Sequence, residues 1–527
     1  MSKVIPSCNK MYSSYTDEKI SIQEEAANSD DDFSERKRFL DPCQSQGRLT
    51  KGKTNEKRVR MPEENSKGVL PIESDLGSPM AVSTPDPLVV KDMPQDEYKV
   101  YKRRWLVLAL FVLYSASNSM QWIQYSIIAD VINRYYGVSF LTIDWTSMIY
   151  MITYIPLIFP ASWILTKKGL RFTTLVGSLG TCVGAWIKVL SVAPDRFWVS
   201  FVGQTIVAVS QVFILSVPSR LAAVWFGPKQ VSSACAIGVF GNQLGVATGF
   251  LLPPLLVKNQ EAIENIGQDL SVMFYGVAIF TTILFAFLVI FFKAEPPTAP
   301  SAAMANRNNE GSEESPREFI QTLGRLFKNW GYILLLLSYG INVGVFYALS
   351  TLLNQVVLAH FEGAGSDAGN IGVSIVIAGM LGSLVCGIVL DKTHKFKETT
   401  LLVYVFSLLG MIVYSATLGA GHIAIVYVTA AALGFFMTGY LPVGFEFGAE
   451  LTYPEAEGTS AGILNAFAQI FGVVFTIIYG QLFGEWGDIS ANIFACVALL
   501  IGVVLTALIK SDLRRQNATN ARPTEAI

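Results

Sequence analysis

After Tyr101 the chain alternates between long apolar runs and short polar breaks, and the apolar runs recur twelve times. Each holds about 20 residues, enough for a helix to cross a hydrocarbon core of about 30 Å. The pattern predicts spans over 105–132, 144–166, 171–192, 197–222, 231–257 and 270–293. A second set follows over 331–359, 369–390, 399–418, 421–443, 459–483 and 487–509. Between the sets lies KAEPPTAPSAAMANRNNEGSEESPREF, rich in Pro, Ser and charge. The first hundred residues are polar, with runs such as NSDDDFSERKR and DLGSPMAVSTPDP. They lack the apolar core of a cleavable signal peptide and bury too little to fold. The expected architecture is an all-α membrane protein of two six-helix bundles. Its parts are a disordered cytosolic tail (1–101), a first bundle (102–293), a cytosolic linker (294–330), a second bundle (331–510) and a cytosolic tail (511–527).

Basic residues set the expected orientation. Lys99, Lys102, Arg103 and Arg104 precede the first span, and Lys167, Lys168 and Arg171 join spans 2 and 3. Lys293, Arg307, Arg317, Arg325 and Lys328 sit in the linker, Lys392, Lys395 and Lys397 after span 8, and Arg514 and Arg515 at the end. All fall on one side, read as cytosolic. The loop between spans 10 and 11 departs from this pattern, being acidic with no basic residue.

The halves resemble each other. Span 4 ends FILSVPSRLAAVWFGPK and span 10 ends MTGYLPVGFEFGAELTYPE, each with a Pro near the helix end and another about ten residues on. The next spans carry Asn242 with Gly249 and Asn465 with Gly472. Such duplication is what a two-bundle transporter requires, with substrate held where the halves meet. The turn GIVLDKTHKFK after span 8 resembles the signature turn of the major facilitator superfamily. In the other copy, WILTKKGLR, Thr166 stands where the Asp is usual, so a charge-based latch is expected around Asp391. Candidates for an inner gate are Asp391, Arg171, Arg220, Glu446 and Glu450.

Composition agrees with a membrane protein: 51% of the 527 residues are hydrophobic and only 15% charged, where a soluble domain carries about a quarter. A net charge of -2 gives no reason to expect a nucleic-acid partner. Six Cys without a CxxC read as reduced thiols, and three scattered His support no metal or haem site. No cofactor is expected. No nucleophile–base pair appears in the spans, which argues against an enzyme.

What stands out is polar chemistry inside the apolar runs. Span 1 contains NSMQWIQYS, and positions four and seven apart share a helix face. Asn118, Trp122 and Tyr125 therefore line one stripe, with Gln121 at its flank. Span 7 offers Tyr339, Asn342, Phe346 and Tyr347; span 4 offers Gln204 and Gln211; span 11 offers Asn465 and Gln469. Buried amides also serve simply to bond neighbouring helices, and Trp122 is placed where an interfacial belt residue would also fit. No Asp, Glu, Lys or Arg falls in the middle of spans 1, 4, 7 or 11; Lys188 is read near the outer end of span 3 and Asp144 near that of span 2. An aromatic and amide pocket without a carboxylate suits a quaternary ammonium, drawn to ring faces by about 0.5–2 kcal/mol each. A neutral sugar or an aromatic solute would fit the same description. In span 5, Gly241, Gly245 and Gly249 form a small-residue stripe, read either as close packing or as a hinge.

Taken with IDWTSMIYMITYIPLIFPASW, SQVFILSVPSRLAAVWFGPKQVSSACA, FYALSTLLNQ and GFFMTGYLPVGFEFGAELTYPEAEGTSAGILNAFAQIFG, these motifs resemble the feline leukaemia virus subgroup C receptor family of the major facilitator superfamily. The resemblance covers residues 102–516, and QYSII, FGPK, FLLPP and IKSDLRR look closer to the family's first member. It implies facilitative transport of choline and ethanolamine across the plasma membrane by a monomer embedded in lipid, with both termini cytosolic; a mitochondrial membrane is the alternative site. It also implies that Trp122 and Tyr347 cage the ammonium, Gln211 and Gln469 orient the hydroxyl or amine, and Asn118 and Met151 complete the wall. Haem export, also attributed to the family, is one rival; a receptor or sensor that binds without flux is the other.

Overall fold

The computed structural model describes residues 100–520, apart from 216, 228–229, 299, 301–315 and 456. The tail expected over 1–101 and much of the linker therefore lie outside the described residues.

Backbone N–H and C=O groups in hydrocarbon have no water to bond, so a chain this apolar satisfies them within helices. Among the described residues, twelve helices are long and apolar enough to cross a membrane. The first crossing is α1 (Arg103–Ile123), a 3-10 turn (Ser126–Ile128) and α2 (Ala129–Tyr136). Next come α3 (Phe140–Leu165) and α4 (Lys167–Val189), one helical run broken at Gly169. The fourth crossing is α5 (Phe197–Leu215) with α6 (Val217–Trp225); α7 (Val231–Leu256) and α8 (Ile263–Phe291) complete the first half. After a linker helix, α9 (Pro316–Leu326), come α10 (Trp330–His360), α11 (Gly365–Thr393), α12 (Phe396–Leu418), α13 (Ile423–Thr452), α14 (Glu457–Trp486) and α15 (Asp488–Leu508). A short helix, α16 (Arg514–Asn520), follows.

With an even number of crossings, the linker and both ends of the described chain lie on one face, here the terminal face. The outer surface is apolar: Ile290, Leu384, Val428 and Leu508 each leave more than 60% of their surface uncovered. Lipid tails solvate such side chains as well as a protein core does.

The twelve expected spans match, with one instructive difference. Span 1, expected as one helix over 105–132, breaks at Gln124, with no proline or glycine to announce it. The break turns Tyr125 away from the Asn118–Trp122 stripe and into the first half, where its hydroxyl bonds Ser200 and its ring meets Phe274. At the first-half copy of the signature turn, Gly169 adopts φ +79°, a region that costs an L side chain but not glycine.

The glycine stripe of α7 is a packing device. A Cβ at Gly241 would lie 2.9 Å from the Val112 Cα, at Gly245 2.7 Å from the Ala116 Cα, and at Gly249 3.1 Å from the Met120 Cα. Two parallel helices thus run backbone to backbone in steps of four, and Asn242 donates to the Ser119 hydroxyl at 2.6 Å between them. In the second half the glycines sit on the other partner: Gly340 and Gly344 of α10 receive Phe471 of α14.

Candidate substrate site

The site assembles where α1 and α3 of the first half meet α10 and α14 of the second. Trp122, at the last turn of α1, and Tyr347, in the middle of α10, are both 1% exposed. Their ring centroids lie 6.0 Å apart with planes at 70°, so the rings form a corner instead of a stack. Gln469 of α14 donates from Nε2 to the Tyr347 hydroxyl at 3.4 Å. Gly472, one turn further along α14, makes room for the others: a Cβ there would come within 2.6 Å of the Tyr347 ring and 2.9 Å of the Met151 sulfur. Trp122, Tyr347, Met151 and Gln469 are therefore brought together. Gln211 is buried on α5.

Other polar residues of span 1 are spent inside the first half. Asn118 donates to the Thr181 hydroxyl at 2.9 Å and the Val207 carbonyl at 3.0 Å, leaving its own Oδ1 without a partner among the described residues. Gln121 donates to the Ser117 carbonyl and accepts from Lys188 Nζ at 3.0 Å. Lys188 is fully buried, with its ammonium 5.6 Å from the Tyr125 ring centroid. Gln204 donates to the Gln121 and Thr146 carbonyls. This amide network ties α1, α3, α4 and α5 behind Trp122.

On the face away from the termini the halves are laced together. Gln355 of α10 donates to Asp144 Oδ1 of α3 at 3.0 Å, and the Ser147 and Thr351 hydroxyls bond at 3.0 Å. Asn354 Oδ1 accepts from the Asp130 amide at 3.4 Å. Asp144, Ser147 and Met151 recur at helical spacing, so one stripe of α3 faces α10 and α14 of the second half. Hydropathy alone hid it, because Asp144 reads as ordinary end-of-span polarity.

The gate candidates on the terminal face are engaged as follows. Arg171 donates to the Val289 carbonyl of α8 at 3.0 Å, within the first half. Arg220 lies in α6, and Asp391 in the last turns of α11, with its side chain outside the described residues. Glu446 and Glu450 hold Arg515 of α16 at 3.1 and 2.7 Å, and Glu457 holds it at 2.9 Å. Burial works against the Arg515 charge, but Glu446 and Glu450 more than offset it and hold the guanidinium above its ordinary range. In the acidic loop that departed from the charge pattern, Glu455 is bound by both guanidinium arms of Arg325 from α9, one at 2.9 Å. That bond keeps the Glu455 carboxyl below the usual glutamate range. Its stabilising contribution is present at neutral pH and is lost as pH falls through and below that range.

Arg515→Gln leaves three neighbouring carboxylates without their cation. The cluster is half-buried around a fully buried Glu450, so removing its cation leaves that carboxylate unpaired away from water. The variant is expected to melt several degrees lower in detergent, with Arg515→Lys between it and the parent; equal melting temperatures for all three would show the cluster to be idle.

The profile of the Major Facilitator Superfamily matches residues 107–476. The chain is 52% identical over 428 residues to the Danio rerio choline/ethanolamine transporter flvcr2b, covering 81% of this chain and 88% of that one. It is 52% identical over 425 residues to the Felis catus choline/ethanolamine transporter FLVCR1, covering 80% and 76%. To the Homo sapiens choline/ethanolamine transporter FLVCR2 it is 51% identical over 420 residues, covering 80% of each. The feline FLVCR1 and the human FLVCR2 are thus matched at nearly the same level. Among solved structures, a bacterial homologue of the human lysosomal transporter Spinster, inward-facing and occupied, superposes with a TM-score of 0.61 at 13% identity, covering 79% of this chain and 99% of that one. The D-xylose–proton symporter gives 0.60 at 12% identity, covering 78% and 98%. At such identities the likeness is one of fold.

Proposed function

Since the chain belongs to the major facilitator superfamily and, within it, to the feline leukaemia virus subgroup C receptor family, we propose that it carries choline and ethanolamine down their gradients by alternating access, with the ammonium held between Trp122 and Tyr347. It is a multi-pass membrane transporter and not an enzyme. The observation that carries the substrate reading is the Trp122–Tyr347 corner, contributed by the two halves and backed by Gln469 and Met151. A quaternary ammonium donates no hydrogen bonds and needs no carboxylate; ring faces stabilise it by about 0.5–2 kcal/mol each. Gln469 and Gln211 then orient the hydroxyl or primary amine, and Asn118 stiffens α1 behind the pocket. The names of the relatives at 51–52% identity supply the same substrates.

We assign residues 102–293 and 331–510 to two bundles that rock about this site. Asp391, Arg171, Arg220, Glu446 and Glu450 serve the terminal-face gate, and the Asp144–Gln355 and Ser147–Thr351 bonds close the other. The basic bias places the terminal face in the cytosol, with the plasma membrane as the working location.

Radiolabelled choline flux into proteoliposomes tests the reading. Flux is expected without a proton or sodium gradient and with a dependence on voltage, since charge crosses. Uptake that collapses when either gradient is removed at constant voltage refutes the downhill mechanism; binding without flux favours a sensor. Haem, with two propionates, asks for basic groups at the site, so haem flux that choline blocks would favour the exporter reading.

Gln355→Leu leaves the buried Asp144 carboxyl without that amide donor. It is expected to shift the resting population toward opening on that face, read as several-fold faster thiol labelling of Thr351→Cys from outside. Unchanged labelling removes the latch from the mechanism.

A further inference from the structure

Between α1 and α8 of the first half runs an open groove of about 330 Å³. Leu106, Leu110 and Leu113 of α1 form one wall, and Phe280, Phe287 and Phe291 of α8 the other. All but Leu110 are exposed. Helix α1 leaves the terminal face and α8 returns to it, so the groove runs from that face toward the membrane centre. Phe280 and Phe291 are separated by about 16 Å of helix, close to half of a hydrocarbon core of about 30 Å. The groove is one leaflet deep.

Its terminal-face end is basic. Arg103 donates from Nη2 to the Phe291 carbonyl at 3.0 Å, which fixes the guanidinium at the mouth of the groove. Lys102 precedes it in the chain, and Lys293 comes just after Phe291. Arg171 is held on α8 in the same way, at the Val289 carbonyl. Arg104 turns elsewhere, its guanidinium over the Trp105 and Phe226 rings. A guanidinium carries several N–H donors in a rigid fork, and the Phe291 carbonyl engages only one arm of it. No carboxylate binds Arg103, Arg171 or Lys293 among the described residues. The paired carboxylates of the terminal face, Glu446, Glu450, Glu455 and Glu457, gather on the second half.

We infer that this groove holds one anionic glycerophospholipid of the terminal-face leaflet, with an acyl chain between α1 and α8 and its phosphate on Arg103. A tail alone has no use for the cations, and a free phosphate has none for an apolar trough one leaflet deep. Basic side chains beside a membrane crossing attract anionic lipid in general. What sets this place apart is that Arg103 is held by a helix carbonyl at the end of the trough instead of ranging through solvent. Its planar fork matches phosphate oxygens as a lysine does not. A headgroup with net negative charge is favoured over phosphatidylcholine, whose own ammonium offsets its phosphate.

Native mass spectrometry of the purified full chain, given equal amounts of phosphatidylserine and phosphatidylcholine with identical tails, tests the site. The parent is expected to retain one phosphatidylserine, at least about fivefold over phosphatidylcholine. Arg103→Gln is expected to reduce that preference below about twofold, with Arg103→Lys between the two. Ile283→Trp fills the groove from the lipid side, at a position already exposed. It is expected to lower retention of both lipids at least about threefold. Lys328→Gln, an exposed cation beyond α9, serves as the control and is expected to behave as the parent. A parent without preference for phosphatidylserine overturns the site, as does an Arg103→Gln protein that keeps the preference. Equal losses in Arg103→Gln and Lys328→Gln reduce it to the diffuse charge of the whole face and overturn it too. If Arg103→Gln is not recovered monodisperse, Ile283→Trp decides alone, and unchanged retention in it refutes the groove. Displacement of the lipid by millimolar glycerol 3-phosphate would assign the rim to a soluble phosphate and overturn the lipid.

Discussion

Trp122→Ala is expected to lower choline uptake at least about tenfold while most of the protein still reaches the cell surface, and Tyr347→Ala to do nearly the same. Each ring face in contact with a desolvated ammonium contributes up to about 2 kcal/mol, and about 1.4 kcal/mol is a factor of ten. The rings touch each other at 6.0 Å, so losing one also loosens its partner and the Gln469 amide bonded to Tyr347. Trp122→Phe is the informative companion: it keeps a ring face with less volume and should recover a large part of the uptake. Uptake normalised to surface protein is the measurement. Normal transport in both alanine variants would sink the aromatic corner as the binding element, whatever the chain carries.

Gly245→Leu is expected to remove nearly all of the folded protein from the surface. The new Cβ would press on the Ala116 carbonyl oxygen and lie 2.7 Å from the Ala116 Cα and 2.8 Å from the Ser119 Cβ. Backbone cannot step aside as a flexible side chain can, so α7 and α1 must part along their length. Gly276→Leu supplies the control, because nothing lies within 4 Å of a Cβ there. It should be produced and surface-exposed as the parent is. Detergent-solubilised size-exclusion profiles with surface labelling decide the matter; a monodisperse Gly245→Leu at parental level would show that the close approach is dispensable.

Hydropathy made the fold legible because a hydrocarbon environment leaves the chain few options. Twelve apolar runs became twelve crossings among the described residues, though span 6 begins at Ile263 instead of 270 and span 10 runs on to Thr452 instead of 443. The aromatic corner was legible in outline, since Trp and Tyr beside amides in apolar runs stand out. Its membership was less so. Periodicity placed Tyr125 beside Trp122, but α1 ends between them, and a helix break without proline or glycine leaves no local trace. Asn118 looked like pocket wall from its spacing; its amide is in fact bonded to α4 and α5. Lys188 sits at its helix end as expected, but its burial against Gln121 depends on which helix packs there, and that is a tertiary fact. The acidic loop was an anomaly in the sequence because its cations arrive from elsewhere: Arg325 from the linker helix and Arg515 from beyond the last span.

The glycine ladder between α7 and α1 also has a mechanical side. Contacts repeated at three successive levels, backbone against backbone, leave the two helices little freedom to slide or roll against each other, so they act as one stiff beam. One flank of that beam carries Trp122. The other, near its far end, bears through Phe250 and Pro254 on Gly369 and Gly372 of α11, in the opposite half. A force applied at the indole is thus delivered at a second fulcrum on α11 through the Phe250 and Pro254 rings.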